Sequence, residues 1–514
     1  MPSPPDLDAS TRRPTSDPRS EPARPHLRLT IALHPALRRI GERVEVTADA
    51  DGLALSRRTP EFRAPDGRAG GPLGDSFLSR TPITLRPHDG GLLIDRGASS
   101  TALRVVGSPD TARVFLDAAS LARGVILTLA DRVVLHLQSC PAAEAAASGH
   151  GLIGASPAIE AVRHHIDRCA ELSVPVLIHG ESGTGKELVA LAIHATSPRA
   201  ARPYIPINMA ALHPHTAIAE LFGHARGAFT GAIEARDGLF RAADGGTIFL
   251  DELGATSLEV QAMLLRVLEV GEIQPIGGAP ARRVDVRVLA ATDADLTQAI
   301  RRGEFRSALF HRLATYTLPV PPLRVRRDDI APLFVHWLAA ELRRAGRAER
   351  FDRLAEDALQ HLPVAAMLHL LVYPWPGNVR ELRNVAARTA AALLAGDDIA
   401  DIIHELGDPT DEPIGPAASE PQASAPADEQ QLRAALEQHD WQIAPAARAL
   451  GISRTTLYAW IKRSEGLHTA HDLPAEVLTA LYERHGGDPT AIADALRISV
   501  RALKLRLRAL GLIR

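Results

Sequence analysis

Lysine is almost absent from this 514-residue chain. Only Lys186, Lys462 and Lys504 occur, against abundant arginine, a skew that fits a genome-composition bias and makes each retained lysine informative. Cysteine is nearly missing too. Cys140 and Cys169 stand without metal-ligand or redox spacing, which excludes a disulfide framework and fits a reducing compartment. No apolar run approaches the ~18–20 residues needed to cross a bilayer. Met1 to Arg24 is rich in Pro, Ser, Asp and Arg and lacks the apolar core of a signal peptide. The net charge of -3 says little about partners. A soluble, cytoplasmic protein with no membrane partner is expected.

Apolar residues make up 46% of the chain, enough for several ordinary cores, and its length favours about three domains. Residues 1–25 read as a disordered tail. Over 26–140, short strands with period-two alternation (Leu27, Leu29, Ile31, Leu33; Val125, Leu127, Leu129) are broken by Gly, Pro and Asp turns, which predicts a β-sandwich sensor. After the Ala-rich bridge Pro141 to Gly151, residues 151–406 mix helices with short apolar strands such as Val174–His179 and Thr247–Leu250, an α/β arrangement. From Phe310 to about Leu406 the signals are mainly helical and predict a lid. Residues 407–428 form a Pro/Ala/acid linker.

The tail is predicted to be all helical. Residues 432–463 and 478–509 align at an offset of 46, matching His439 with His485, Ala447 with Ala493, Leu450 with Leu496 and Leu457 with Leu503. A helix-turn-helix at 429–465 and a second at 474–514 are expected. From Arg497 to Arg514 there are six basic residues and no acid, so the second copy is either a DNA reader or a solvated basic face.

The chemistry centres on GESGTGKE, Gly180 to Glu187, placed between a strand and an apolar-periodic helix. Gly180, Gly183 and Gly185 let the backbone turn tightly and aim N–H groups at phosphate oxygens, with Glu181, Ser182 and Thr184 completing the loop. The next helix adds its positive end, and Lys186 supplies a point charge for the β- and γ-phosphates of ATP. Glu187 replaces the Ser/Thr that usually binds magnesium at this point. Some 60 residues on, GGTIFLDE delivers Asp251 and Glu252 at the carboxyl end of an apolar strand. Asp251 suits water-mediated magnesium binding and Glu252 suits activation of the attacking water.

Here the chain resembles a known family. Gly151 to about Asn384 is similar to the central AAA+ domain of sigma-54-dependent transcriptional activators (bacterial enhancer-binding proteins), in which Glu after the P-loop lysine is normal. GAFTGA, comprising Gly227, Ala228, Phe229, Thr230, Gly231 and Ala232, matches the family loop that engages the sigma-54 factor. The resemblance implies further roles. Asn208 matches the asparagine that holds the catalytic glutamate until the nucleotide state changes. Arg306 and Arg312 match arginines reaching a neighbour's γ-phosphate, which implies a ring, expected to be hexameric. Arg380 matches the sensor arginine of the lid. The sequence also departs from the family. Ala225 and Arg241 stand where Glu is usual, Ala308 where an acid is, and Asp293 where Asn is.

Residues 432–463 resemble the factor-for-inversion-stimulation (Fis) type of helix-turn-helix. Gly451 permits the turn and Ser453 can cap the second helix. Arg454, Thr455, Thr456, Tyr458 and Lys462 are the expected DNA contacts. The sandwich resembles a forkhead-associated domain, a phosphothreonine reader. Ser79 and Arg80 in DSFLSRTPITL match the Ser-Arg of its binding loop, whereas Pro82 replaces the usual histidine and no convincing early Gly-Arg is present. The implied protein is an ATP- and magnesium-dependent activator that binds DNA and remodels sigma-54 RNA polymerase, with a phosphorylated protein as a further partner of its sensor. The rival readings are a DNA-bound scaffold with a decayed ATPase and a nucleic-acid translocase. The intact P-loop, Asp251-Glu252 and GAFTGA disfavour both.

Overall fold

The computed structural model describes residues 26–46, 52–109, 111–140, 149–213, 216–228, 234–278, 280–356 and most of 358–396, then 429–439, 475–496 and scattered tail positions. The expected tail 1–25 and linker 407–428 lie outside them. One compact unit extends through Pro409 and a second runs from Thr410 to Arg514.

Residues 26–140 form two facing antiparallel sheets. Seven strands run in the order Ala69–Gly71, Phe62–Arg63, Arg43–Val46, His26–Leu33, Val133–Cys140, Val125–Leu129, Leu103–Val105; four run Leu53–Leu55, Ile83–His88, Gly91–Asp95, Arg113–Leu116. Leu29, Ile31, Leu127 and Leu135 of the first meet Leu85, Leu92, Ile94 and Leu116 of the second in one core. This is the sandwich expected from the alternation. The alternation, however, does not separate core from solvent. Arg28, Thr30 and Ala32, which point away from the sandwich core, are buried as well, and so are all five residues of Val125–Leu129.

The helical lid covers that second face. Ala32, Leu33, Ile126 and Val134 of the sandwich share a core with Leu323, Ile330, Phe334, Leu338 and Leu371. The Ala358 amide donates to the Pro35 carbonyl at 2.8 Å. A strand buried on both faces reads as a nearly continuous run of buried positions, as in sheets covered by helices. Regions 26–140 and 151–406, assigned to separate domains from the sequence, are therefore packed through one apolar core within the first unit.

The central sheet holds five parallel strands in the order Tyr204–Asn208, Thr247–Asp251, Arg287–Thr292, Val176–His179, Tyr316–Pro319. Side chains alternate between its faces. Val176, Ile178, Phe249 and Leu289 pack toward the helix Pro157–Ala170, and Leu177, Ile248, Leu250 and Val288 toward the helix Leu258–Val270. Parallel strands buried on both faces place their carboxyl ends together, and ligands bind there. The helical region expected from Phe310 is interrupted by the strand Tyr316–Pro319. It pairs with Val176–His179, so the lid begins only near Leu323. Four extended residues between helical stretches carry too little period to stand out in the sequence. The principal lid helices are Ile330–Arg344, Ala348–Glu356, Val364–Val372 and Asn378–Ala395.

In the second unit the helices Glu429–Gln438 and Ala475–Arg484 begin and end 46 residues apart, the offset of the sequence repeat. Each is closed by the same bond: the Trp441 amide to the Leu436 carbonyl at 2.8 Å, the Gly487 amide to the Tyr482 carbonyl at 2.9 Å. Trp441 and Gly487 both adopt positive φ, +58° and +81°. Leu457 and its counterpart Leu503 are both fully buried, and Leu503 packs with Leu478, Ile492 and Leu507. The proposed DNA contacts Arg454, Thr455, Thr456, Tyr458 and Lys462 lie outside the described residues.

Candidate nucleotide site

The loop Gly180–Gly185 follows the strand Val176–His179 and ends on the helix Lys186–Thr196, whose cap Gly185 has φ +102°. Glycine is needed at two close approaches. A Cβ at Gly180 would lie 2.5 Å from the Val320 carbonyl oxygen, and one at Gly183 (φ +76°) 2.4 Å from that of Gly377. Lys186, 9% exposed as a residue, donates through its ammonium to the carbonyls of Gly180 (2.7 Å) and Glu181 (3.0 Å). Burial lowers its pKa, while Asp293, Asp251 and Glu252 act in the opposite direction. A buried cation at a helix N-terminus within a glycine loop fits a polyphosphate. Glu187 is exposed on the first turn of that helix.

Asp251 ends the strand Thr247–Asp251, and its carboxylate accepts from the Glu252 amide at 2.9 Å. Glu252 has φ +53°, a strained geometry for a non-glycine residue of the kind that gathers at functional sites. Asn208 is the register partner of Asp251 on the neighbouring strand, and its side-chain oxygen accepts from the amides of Ala210 and Ala211. Thus Asn208, Asp251, Glu252 and the loop lie at one end of one sheet. Acidic oxygens beside a phosphate cradle suit magnesium, which needs few protein ligands when phosphates supply the others.

The lid closes on the loop from the side. Asn378, fully buried and at φ +50°, donates to the Ser182 carbonyl (3.0 Å) and to Glu181 (3.1 Å), while its oxygen accepts from the Leu323 amide. The Val379 amide donates to the Gly183 carbonyl at 3.0 Å. Arg380 donates to Ser182 Oγ at 2.9 Å, so the expected sensor arginine sits on the loop. Arg324 clamps Glu181, and Arg326 donates to the Thr184 carbonyl at 2.9 Å. The sequence reading missed Arg324, Arg326 and Asn378, because the contacts that give them meaning cross more than 140 residues.

Arg306 and Arg312 are exposed around the helix Ser307–Leu313. Their Nε atoms donate to the carbonyls of Leu258 and Leu268, which fixes both stems to the helix Leu258–Val270. Of the departures from the family, Arg241 makes a local pair with Asp244 (2.7 Å), Ala308 is exposed, Ala225 bonds the Ile276 carbonyl, and Asp293 faces Lys186. The base of GAFTGA is anchored. Gly227 has φ +78°, and His224 bridges both Arg236 and Ile276. Phe229, Thr230, Gly231 and Ala232 lie outside the described residues.

Residues 152–319 match the sigma-54 interaction domain, 324–406 the AAA+ ATPase lid domain, and 425–463 the bacterial regulatory protein, Fis family. The chain is 42% identical over 342 residues to the transcriptional regulatory protein ZraR of Klebsiella oxytoca, covering 66% of this chain and 74% of that one. It belongs to the sigma-54-dependent transcriptional regulators. The nitric oxide reductase transcription regulator NorR1 of Cupriavidus necator is 42% identical over 63% of this chain and 65% of its own. The NorR of Salmonella typhi is 44% identical over 61% and 62%. The chain thus spans less than two thirds of either NorR relative. NtrX of Brucella abortus, solved with ADP, is 30% identical over 70% of each chain with a TM-score of 0.44. As a sigma-54-dependent regulator, this chain is an ATP-binding AAA+ ATPase with a Fis-type DNA-binding tail. The family boundary between residues 319 and 324 coincides with the end of the edge strand at Pro319.

In the sandwich, the Arg57 amide donates to the Ser79 carbonyl at 3.0 Å, the Ser79 amide to Thr101 Oγ1 at 2.8 Å, and Ser99 Oγ to the Thr81 carbonyl at 2.8 Å. Three loops therefore meet around Ser79 with Arg80 exposed beside them. Arg57 was not singled out from the sequence, because its contact with Ser79 joins two separate loops.

Proposed function

We propose that the chain hydrolyses ATP with magnesium in a ring of like subunits, expected to be a hexamer, and uses the cycle to open promoters held closed by sigma-54 RNA polymerase in the cytoplasm. The observation that carries this is the convergence on one loop of Lys186, the acids Asp251, Glu252 and Asp293, and the lid residue Arg380. Lys186 and the loop amides bind the phosphates, Asp251 would hold the magnesium, and Glu252 takes the proton of the attacking water. Bound magnesium would neutralise charge on the phosphates. Asn208 restrains Glu252 between cycles, and Arg380 reads the nucleotide from the lid. Arg306 and Arg312 complete the site of the next subunit, where an arginine finger neutralises transition-state charge. Phe229 and Thr230, between Gly227 and Gly231 in the sequence, contact the sigma factor in one nucleotide state, since a contact equal in all states shifts no equilibrium. Arg454, Thr455, Thr456, Tyr458 and Lys462 hold the DNA. Ser79, Arg80 and Arg57 face a phosphorylated protein segment.

Thr230→Ala tests the assignment. It should keep ATP binding, most hydrolysis and DNA binding, yet fail to form open complexes with purified polymerase, sigma-54 and ATP. Normal activation by that variant, or failure of the parent at every sigma-54 promoter bearing its sites, would falsify the reading.

A further inference from the structure

The sandwich reaches the nucleotide loop through a chain of buried polar groups. His136, on the strand Val133–Cys140, hydrogen-bonds the Asp328 carboxylate through Nδ1, and both side chains are 1% exposed. Asp328 lies in the turn Arg327–Asp329, which Arg326 caps. Its neighbour Asp329, fully buried, accepts from the amides of Ala155 and Ser156 and from Ser156 Oγ at 2.7–2.8 Å. The carbonyl of Ala155 in turn accepts from two sandwich arginines, Arg28 at 2.9 Å and Arg43 at 3.1 Å. Arg326, 3% exposed and facing Asp329, delivers its guanidinium to the Thr184 carbonyl inside the loop.

We propose that His136, a residue of the sandwich, is a positioning residue for ATP binding: through Asp328 it fixes the Arg326–Asp329 turn, and the turn fixes Arg326 on the Thr184 carbonyl. The geometry allows little play. A Cβ at Gly154 would lie 2.5 Å from the Asp329 carboxylate, and one at Gly124 would lie 2.2 Å from His136 Nε2. The turn and the ring are thus enclosed by backbone, so moving His136 moves Asp328. The proposal rests on the nucleotide role of Gly180–Glu187, and it concerns affinity rather than the chemical step, because none of its groups reaches Asp251 or Glu252.

The test is steady-state ATP hydrolysis by the full chain. His136→Leu removes the donor, and His136→Asn keeps one at the position of Nδ1. Loss of one charge-assisted bond should raise the KM for ATP by about tenfold in His136→Leu, with kcat within about twofold, while His136→Asn stays near the parent. Because His136→Leu leaves Asp328 buried without its partner, the pair His136→Leu with Asp328→Leu is measured beside it. That pair leaves no carboxylate stranded at position 328 and should fold while showing the same KM rise. A parental KM in either folded variant overturns the proposal, as does a KM in His136→Asn raised as far as in His136→Leu. If Lys186→Ala binds ATP as the parent does, the nucleotide assignment fails instead.

Discussion

Arg324 holds Glu181 with both terminal nitrogens, Nη1 to Oε2 at 2.7 Å and Nη2 to Oε1 at 2.5 Å, and so fastens the start of the lid to the phosphate loop. This bond, with a further one from Asn378, holds the Glu181 carboxyl below the usual glutamate range. Arg324→Ala should weaken ATP binding by about tenfold, and Glu181→Gln in that background should add little, because the two act as one unit. Calorimetric titration of the two singles and the double decides it; additive losses would separate the residues. A lowered folded pKa means the clamp is complete above the ordinary glutamate pKa and is lost as pH falls through the folded value. Because both side chains are about 40% exposed, its share in global stability is small.

Arg306 and Arg312 give a complementation test. Each variant to Ala should bind ATP but lose about 10³-fold or more in hydrolysis, the scale of an arginine finger. Mixed with Lys186→Ala chains, which retain the arginines but not the phosphate cradle, either should recover activity, since some interfaces then join an intact loop to an intact finger. Activity that stays at the sum of the two inactive variants would remove the ring.

Asp293 puts a third acid beside Lys186. Replacing it with Asn removes a negative charge facing the phosphate site, and KM for ATP should fall by about threefold to tenfold at low salt, less at high salt. An unchanged KM at 20 and 500 mM salt, both round values on the order of the dilute and screened regimes, would show that Asp293 is out of reach of the nucleotide.

Cys140 and Cys169 are buried, and burial pushes both thiols up to about 11. Neither should react with iodoacetamide at about pH 8 until the chain unfolds, since the thiolate is the nucleophile. In the unfolded chain both thiols titrate near their ordinary value, so above roughly pH 9 it releases protons the native state keeps, and stability falls as pH rises. Denaturant midpoints between about pH 8 and 10, compared with the Cys140→Ala/Cys169→Ala chain, isolate that slope.

The nucleotide loop, Asp251-Glu252 and the central sheet were legible because their signals are local: a glycine pattern, an apolar strand, an acidic pair. The tail repeat was legible in its matching histidines, alanines and leucines, whereas the equivalence of Trp441 and Gly487, two unlike residues, comes only from their matching turns. The strand Tyr316–Pro319 was not, for four extended residues beside helices carry no period. Neither were Arg28, Thr30 and His136. Polar residues alternating with apolar ones carry no local sign of what covers them: Arg28 is buried against Ala155 and Glu160, and His136 against Asp328, all distant in the chain. Arg324, Arg326 and Asn378 carry no local signal, and their place is given only by contacts back to Gly180–Glu187.

The lid face that receives Ala32, Leu33, Ile126 and Val134 sets a limit on cutting and grafting this protein. A fragment beginning near Gly151 would satisfy every motif of the ATPase yet leave Ile330, Phe334 and Leu338 without their wall. An apolar surface of that kind drives self-association, so such a fragment should precipitate or pair through its lids rather than assemble as the intact chain does. A sensor transplanted from another regulator would have to match this seam in shape as well as carry its own signal. Here the front of the protein cannot be exchanged as a cassette.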